Sequence, residues 1–218
     1  MCKLKATGGG IAHLLRRPDC MKLVVRSHNF LLALAIVASL RFAGAEEAPG
    51  VPNFHQVNQQ VFRGAQPTKE GWNSLAKLGV KVVIDLRQDK EGGEHLISAE
   101  AKAVQEAGMR YVNVPLKGIV APSDDQIAKI LIILNGPDPV FVHCRQGKDR
   151  TGVVIACYRI AHDRWDSKRA MGEAKAIGMH WKEVGMKRYI SHFTGVGMST
   201  APVAENTVVQ SEPRKIKP

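Results

Sequence analysis

Short apolar runs alternate with amphipathic stretches through the middle of the chain. Val82-Val83-Ile84-Asp85-Leu86, following Leu78-Gly79, reads as a buried strand, as does Val140-Phe141-Val142. Arg110 to Val114 reads as another strand. Thr68 is placed to cap a helix running through Lys77, with Trp72 and Leu75 on its inner face. Residues 95–107 carry Ile97, Ala101 and Val104 at helical spacing and stop at Gly108. Ser123 caps a helix in which Ile127, Ile130, Leu131 and Leu134 form one apolar stripe. Thr151 to Ala161 is apolar nearly all round (Val153, Val154, Ile155, Ala156, Ile160), which marks a helix buried at the centre. Trp165, Met171, Ala174 and Ile177 mark another helix, and residues 181–192 a last one. This alternation predicts an α/β fold with a central, mostly parallel sheet flanked by helices.

The two ends follow other rules. Met21 opens a basic stretch with Lys22 and Arg26, an apolar run follows from Phe30 to Leu40, and Ala43-Gly44-Ala45 precedes Glu46-Glu47. That order is the one found in a secretory signal, with small residues at its cleavage site. The apolar run is far shorter than the ~20 residues needed to cross a bilayer. Residues 1–45 are therefore expected to be a signal peptide, with Met21 as an alternative start. The mature protein would begin near Glu46 and work in the periplasm or outside the cell; left uncleaved, the segment would act as an anchor. From Gly195 onward apolar periodicity is lost, which predicts a disordered tail over 195–218. A single catalytic domain is expected over 46–194.

Charge and cysteine usage narrow the function. The 218 residues carry a formal charge of +11, which invites a nucleic-acid partner. Seven basic groups against one acid lie in residues 1–45, leaving 24 against 19 for the rest. No basic patch for nucleic acid then stands out, and no such partner is expected. Of four cysteines, Cys2 and Cys20 fall in the front segment; Cys144 and Cys157 alone cannot staple a small secreted scaffold. Cys157, two turns into an apolar helix, reads as core.

The segment His143-Cys144-Arg145-Gln146-Gly147-Lys148-Asp149-Arg150-Thr151-Gly152 joins a buried strand to a buried helix. A loop there can aim its backbone N–H groups inward and set a helix N-terminus against an anion. The same donors favour the thiolate of Cys144 over its thiol. Arg150 would face the anion with a planar fork gripping two oxygens, and Thr151 would offer a hydroxyl to the sulfur. Gly147 and Gly152 permit a tight path and close packing. This suits phosphate-ester cleavage through a phosphocysteine, with residues 145–150 cradling the phosphate. Neither a metal nor another cofactor is required. His143 reads as support rather than as a base. Six residue types at fixed places arise by chance about once in 10⁷ start positions.

His-Cys-Arg-Gln-Gly-Lys-Asp-Arg-Thr-Gly resembles the HCxxGxxR(S/T)G signature of the cysteine-based protein tyrosine and dual-specificity phosphatases. The likeness extends through FRGAQPT, GVKVVIDLR and VPLKG, over roughly residues 54–165, toward the atypical dual-specificity phosphatases of bacteria, plants and fungi. The resemblance implies a phosphotyrosine protein phosphatase-like fold. It implies Cys144 as nucleophile, Arg150 as phosphate clamp and Thr151 as the hydroxyl of the second step. It also implies a phosphorylated substrate, either a phosphoprotein or a phosphoinositide or inositol phosphate. Lys148 and Asp149 are similar to a loop found in members acting on polyanions.

The general acid does not fall where typical members carry it, because residues 111–116 hold no carboxyl. Asp124 and Asp125, at a helix start where acids also serve the dipole, and Asp149 inside the loop are the candidates. Lys117 and Arg87 read as surface or structural charges that could also meet a polyanion. A rhodanese-like sulfurtransferase and a non-catalytic phosphate-binding module remain as alternatives.

Overall fold

The computed structural model describes residues 47–89, 91 and 96–195. The expected signal peptide and the tail beyond Gly195 lie outside the described residues. The described residues all belong to one compact unit within Glu46–Pro218.

Among the described residues one sheet holds five strands: β1 (His55–Gln56), β2 (Val61–Gly64), β3 (Val82–Asp85), β4 (Arg110–Asn113) and β5 (Val140–His143). The order is β1-β2-β5-β3-β4, antiparallel only between β1 and β2. The helices among those residues are α1 (Lys69–Lys77), α2 (Leu96–Glu106), α3 (Asp124–Leu134), α4 (Asp149–Ala161), α5 (Ser167–Ala176) and α6 (Val184–His192).

Side chains alternate across a strand, so the sheet builds two cores. On one face Val61, Ile84, Val140 and Val142 pack with the apolar stripe of α3 and with α4 to α6. On the other, Phe62, Val83 and Phe141 pack with Trp72 and Leu75 of α1 and Val104 of α2. Each such side chain contributes about 1.5–3 kcal/mol by leaving water. Helix α4 is buried from Arg150 through Tyr158, as a helix covered by neighbours on its outer face must be.

Several boundaries differ from the expectation, each for a local reason. Ser123 does cap α3, in a reciprocal box with Gln126. Thr68 precedes α1 without a side-chain cap; its N–H donates to Gly50 O at 2.8 Å instead. Helix α4 starts at Asp149, two residues early, because the loop before it flows directly into the first turn. Trp165 lies outside α5, which Asp166 caps by accepting from Arg169 N–H. Its ring sits instead between the guanidinium groups of Arg159 and Arg169, 4.5 and 3.7 Å from its centre.

Parallel register levels the strand ends: Gly64 pairs with His143, His143 with Asp85, and Asp85 with Asn113. The loops that leave this edge come from β2, β3 and β5 together. Ligands of open α/β sheets sit beyond such an edge.

Candidate active site

Cys144 directly follows β5 at 2% exposure, and the chain then turns through a loop into α4 at Asp149. Three successive carbonyls of that loop are bound from outside it. Gln66 N–H donates to Arg145 O at 3.3 Å. Asn53 Nδ2 donates to Gln146 O at 3.2 Å and to Gly147 O at 3.3 Å. Arg63 Nη2 donates to Gly147 O at 2.7 Å. In a trans peptide the N–H points opposite its C=O, so these contacts turn the N–H groups of residues 146–148 toward the concave side. Gly147 adopts φ +68°, and a Cβ there would lie 2.4 Å from Gly64 C and O. The loop therefore lies directly on the end of β2. Oriented amides and the first turn of α4 make an anion cradle around the sulfur.

Arg150, in the first turn of α4, is held on one side. Nη1 and Nη2 each donate to one oxygen of Glu91 at 2.5 Å. A guanidinium offers five N–H groups, so this end-on grip leaves Nε and the second Nη2 hydrogen for another anion. Burial opposes the charge of Arg150, but Glu91, the Cys144 sulfur and Asp85 outweigh it and hold the group firmly protonated. The same hydrogen bonds hold the Glu91 carboxyl below its usual range. A cavity of about 350 Å³ opens beside Arg150, lined also by Gln88, Asp89, Glu91 and Gly118.

Beneath His143 lies a buried polar network. His143 Nε2 sits 2.9 Å from Glu100 Oε1 and 4.0 Å from Asp85 Oδ1. Arg87 bonds both carboxylates, and Tyr111 donates its hydroxyl to Asp85 Oδ2 at 2.8 Å. Gln66 Nε2 donates to Glu100 Oε2 at 2.5 Å. Burial alone would raise the Asp85 carboxyl, yet Arg87 and His143 hold it below its usual range. Asp85, Glu100 and His143 are of metal-binding types and close together, but the cation their carboxylates already bind is Arg87. His143 also stacks on Phe141 at 5.5 Å and lies 3.4 Å from Cys144 O.

The structure brings some predicted site residues to the cradle and engages others elsewhere. Gly147 and Arg150 are buried in it, and Arg145 and Gln146 are exposed on its rim. Thr151 Oγ1 is fully buried without a hydrogen-bond partner. Gly152 lets Met179 approach α4, within 2.9 Å of where its Cβ would be. Lys148 is half-buried, while Asp149 Oδ1 accepts from His180 N–H at 2.7 Å and so pins the segment after α5. Asp124 Oδ1 accepts from Tyr189 O–H at 2.7 Å, and its charge is felt by Cys157 deep in α4. Asp125 is exposed. Arg87 is buried in the network, not on the surface, whereas Lys117 is exposed. Cys157 is core, and burial pushes its thiol up.

Sequence reasoning missed Asn53, Arg63, Gln66, Asp89, Glu91 and Glu100. The FRGAQPT stretch carried a signal, an arginine between apolar and small residues just before the expected α1. Asp89 and Glu91 sit in an ordinary polar loop and carried none.

A mostly parallel sheet with a buried cysteine directly after its central strand, and an arginine in the first turn of the next helix, is an arrangement that suits a cysteine-based phosphatase. Residues 45–190 match the family described as "DSP-PTPase phosphatase fused to NAD+ Kinase", and the chain belongs to that family. Among curated relatives, Inositol diphosphatase DSP5 of Arabidopsis thaliana is 24% identical over 146 residues, 65% of this chain and 70% of that protein. Dual specificity protein phosphatase TpbA of Pseudomonas aeruginosa is 26% identical over 129 residues, 58% of this chain but 55% of that protein. In the rice Probable NAD kinase 2, chloroplastic, the matched region is only 10% of the length. Of solved structures, the catalytic core of the PP-IP phosphatase SIW14 from S. cerevisiae shares the fold with TM-score 0.59 at 21% identity, covering 67% of this chain and 88% of that one. Crystalline TpbA gives 0.55 at 23% identity, covering 68% and 90%.

Proposed function

We propose that this protein hydrolyses phosphate monoesters or phosphoanhydrides through a phosphocysteine at Cys144. The observation that carries the reading is the set of carbonyls of residues 145–147 tied back by Gln66, Asn53 and Arg63 around a buried cysteine. A dianionic phosphoryl group fits amides turned to one side, with Arg150 offering its free Nε/Nη2 edge to two oxygens. The sulfur attacks phosphorus, the leaving oxygen takes a proton, and water then cleaves the S–P bond. The unpartnered Thr151 hydroxyl lies in the first turn of α4, where it would assist departure of the sulfur. A buried hydroxyl left without a partner costs about 1–3 kcal/mol, which a transient bond to sulfur would offset.

For the substrate, the names of the relatives point two ways, to inositol diphosphates and to phosphotyrosine. Arg145, exposed on the rim, favours the more highly charged class, because a single phosphate is satisfied inside the cradle. The rhodanese-like alternative has no comparable support, since the matched family and the relatives above are phosphatases. Export remains a proposal carried by residues 21–45; cell fractionation of the full chain tests it.

The deciding experiment is turnover of para-nitrophenyl phosphate, phosphotyrosine peptide and inositol pyrophosphate by the wild type, Cys144→Ser and Arg150→Lys. Loss of phosphate release in Cys144→Ser, with a phosphoenzyme trapped by acid quench of the wild type, is the expected result. Release undiminished in Cys144→Ser refutes the mechanism. Binding of phosphate without any turnover by the wild type reduces the protein to an anion-binding module.

A further inference from the structure

Arg63 is the largest fully buried side chain among the described residues, and it sits in the middle of a parallel strand. Alternation along β2 puts it on the face of Val61, the face on which Val142 and Cys144 pack, and it stands abreast of Val142 in the register. Its one hydrogen bond runs from Nη2 to Gly147 O; Nε and Nη1 have no partner, and no carboxylate forms an ion pair with it among the described residues. Burial holds its pKa down to about 10, so it stays charged at neutral pH.

A buried cation without a counter-charge is costly, so what lies around it decides its role. Glu173 on α5 attracts it, but both oxygens of that carboxylate are bound by Arg159 of α4, whose own charge opposes Arg63. His55 on β1 faces it and is itself held less basic, by burial and then by Arg63. The remaining attracting group is the sulfur of Cys144. Arg150 reaches the same sulfur from the α4 side, already neutralised by Glu91.

We infer that Arg63 is a positioning residue of the reaction, fixing the Gly147–Lys148 peptide with its N–H toward the phosphate and standing as the permanent counter-charge behind the Cys144 thiolate. This rests on the phosphatase reading above only for its consequence in turnover; the effect on the sulfur stands apart from it. Arg150 grips the substrate from the open side, while Arg63 acts on the nucleophile from the sheet side, where no substrate reaches.

The test compares Arg63→Met, which removes the charge, with Arg63→Lys, which keeps it without the planar fork. The pH midpoint of Cys144 alkylation by iodoacetamide, read by mass spectrometry on the Cys144 peptide, reports the charge and not mere packing. Arg63→Met should move that midpoint up by about one pH unit and lower kcat/KM about tenfold at pH 6. Arg63→Lys should leave the midpoint within about 0.3 unit while weakening inhibition by inorganic phosphate about fivefold. Arg63→Gln, which retains donors to Gly147 O, carries the same expectation as Met should that variant not fold. An unmoved midpoint in a folded Met or Gln variant overturns the inference, as does a Lys variant shifted by a full unit. A shifted midpoint in Arg63→Met beside a wild type that releases no phosphate would sink the phosphatase reading and leave the inference standing.

Discussion

Gly147→Ala isolates the geometry of the loop with the smallest possible change. At φ +68° an alanine in the left-handed region costs about 1–2 kcal/mol. The new Cβ would also lie 2.4 Å from Gly64 C and O and 2.6 Å from Ala65 N, all backbone atoms at the end of β2. Those atoms cannot swing aside as a side chain would, so the loop itself must retreat by roughly 1 Å to reach ordinary contact. That retreat stretches the 2.7 Å bond from Arg63 and the longer one from Asn53, a further loss of about 1–3 kcal/mol. In all about 3 kcal/mol of stability is lost, a fall in Tm of roughly 6–12 °C for a domain of this size. A 1 Å misplacement of catalytic groups costs on the order of 10²-fold in kcat/KM. Para-nitrophenyl phosphate turnover and thermal unfolding by circular dichroism read the two numbers. Gly79→Ala is the control: it too sits at positive φ, +81°, but nothing lies within 4 Å of its Cβ. It should lose Tm through conformation alone and keep full activity. Gly147→Ala with kcat/KM within threefold of wild type and an unchanged Tm would refute the close-contact account of the loop.

Other outcomes follow from the same contacts. Glu91→Ala frees Arg150 from its two bonds and should lower kcat/KM about 5–50-fold, mostly through KM, in a steady-state comparison with wild type. Asp85 is held below its ordinary value, so its contribution to stability is complete above about pH 4 and disappears as the pH falls through the lower folded value; Asp85→Asn should flatten the acid side of a Tm–pH curve. Among Asp89→Asn, Asp124→Asn, Asp125→Asn and Asp149→Asn, the largest loss with a poor alkoxide leaving group should fall on Asp89, which lines the cavity with Arg150; equal rates across the series would show that no carboxyl among them donates the proton. Peroxide should inactivate the enzyme reversibly through Cys144, with Cys157→Ser indistinguishable from wild type because burial pushes the Cys157 thiol up, away from the reactive thiolate form.

The layered fold was legible because β3, β5 and α3 are built on apolar runs and stripes that have no other use. Gly147 and Arg150 were legible because a tight loop at a helix start restricts residue types sharply. What stayed hidden has a physical cause in each case. The four residues of β2 include a charged one, and the hydropathy pattern of a strand breaks on Arg63, although the fold buries it completely. Glu91 reaches Arg150 across 59 positions and Glu100 reaches His143 across 43, and neither pairing leaves a trace in local spacing. Asp124, one of the carboxyls the sequence offers for proton transfer, accepts from Tyr189, 65 residues later, a contact that local spacing does not show. Short-range pattern finds the candidate phosphate loop; it does not find the charges that hold that loop.

Those charges are arranged so that the arginines around Cys144 do different work. Arg87 is neutralised by Asp85 and Glu100, so it fixes His143 and the base of β5 without adding net field. Arg150 is neutralised by Glu91 and serves as a shaped set of donors more than as a charge. Among the described residues Arg63 has no carboxylate bound to it, and so supplies field rather than shape, from a place that solvent ions cannot enter. On the proposed mechanism the first phosphate would be held by oriented amides and shielded cations, whereas further phosphates would meet Arg145 and other groups in water. Recognition of one phosphate would then be built into the fold, and any preference for a polyanion would be a property of the rim. Relatives with one cradle can accordingly differ in substrate without altering the loop that performs the reaction.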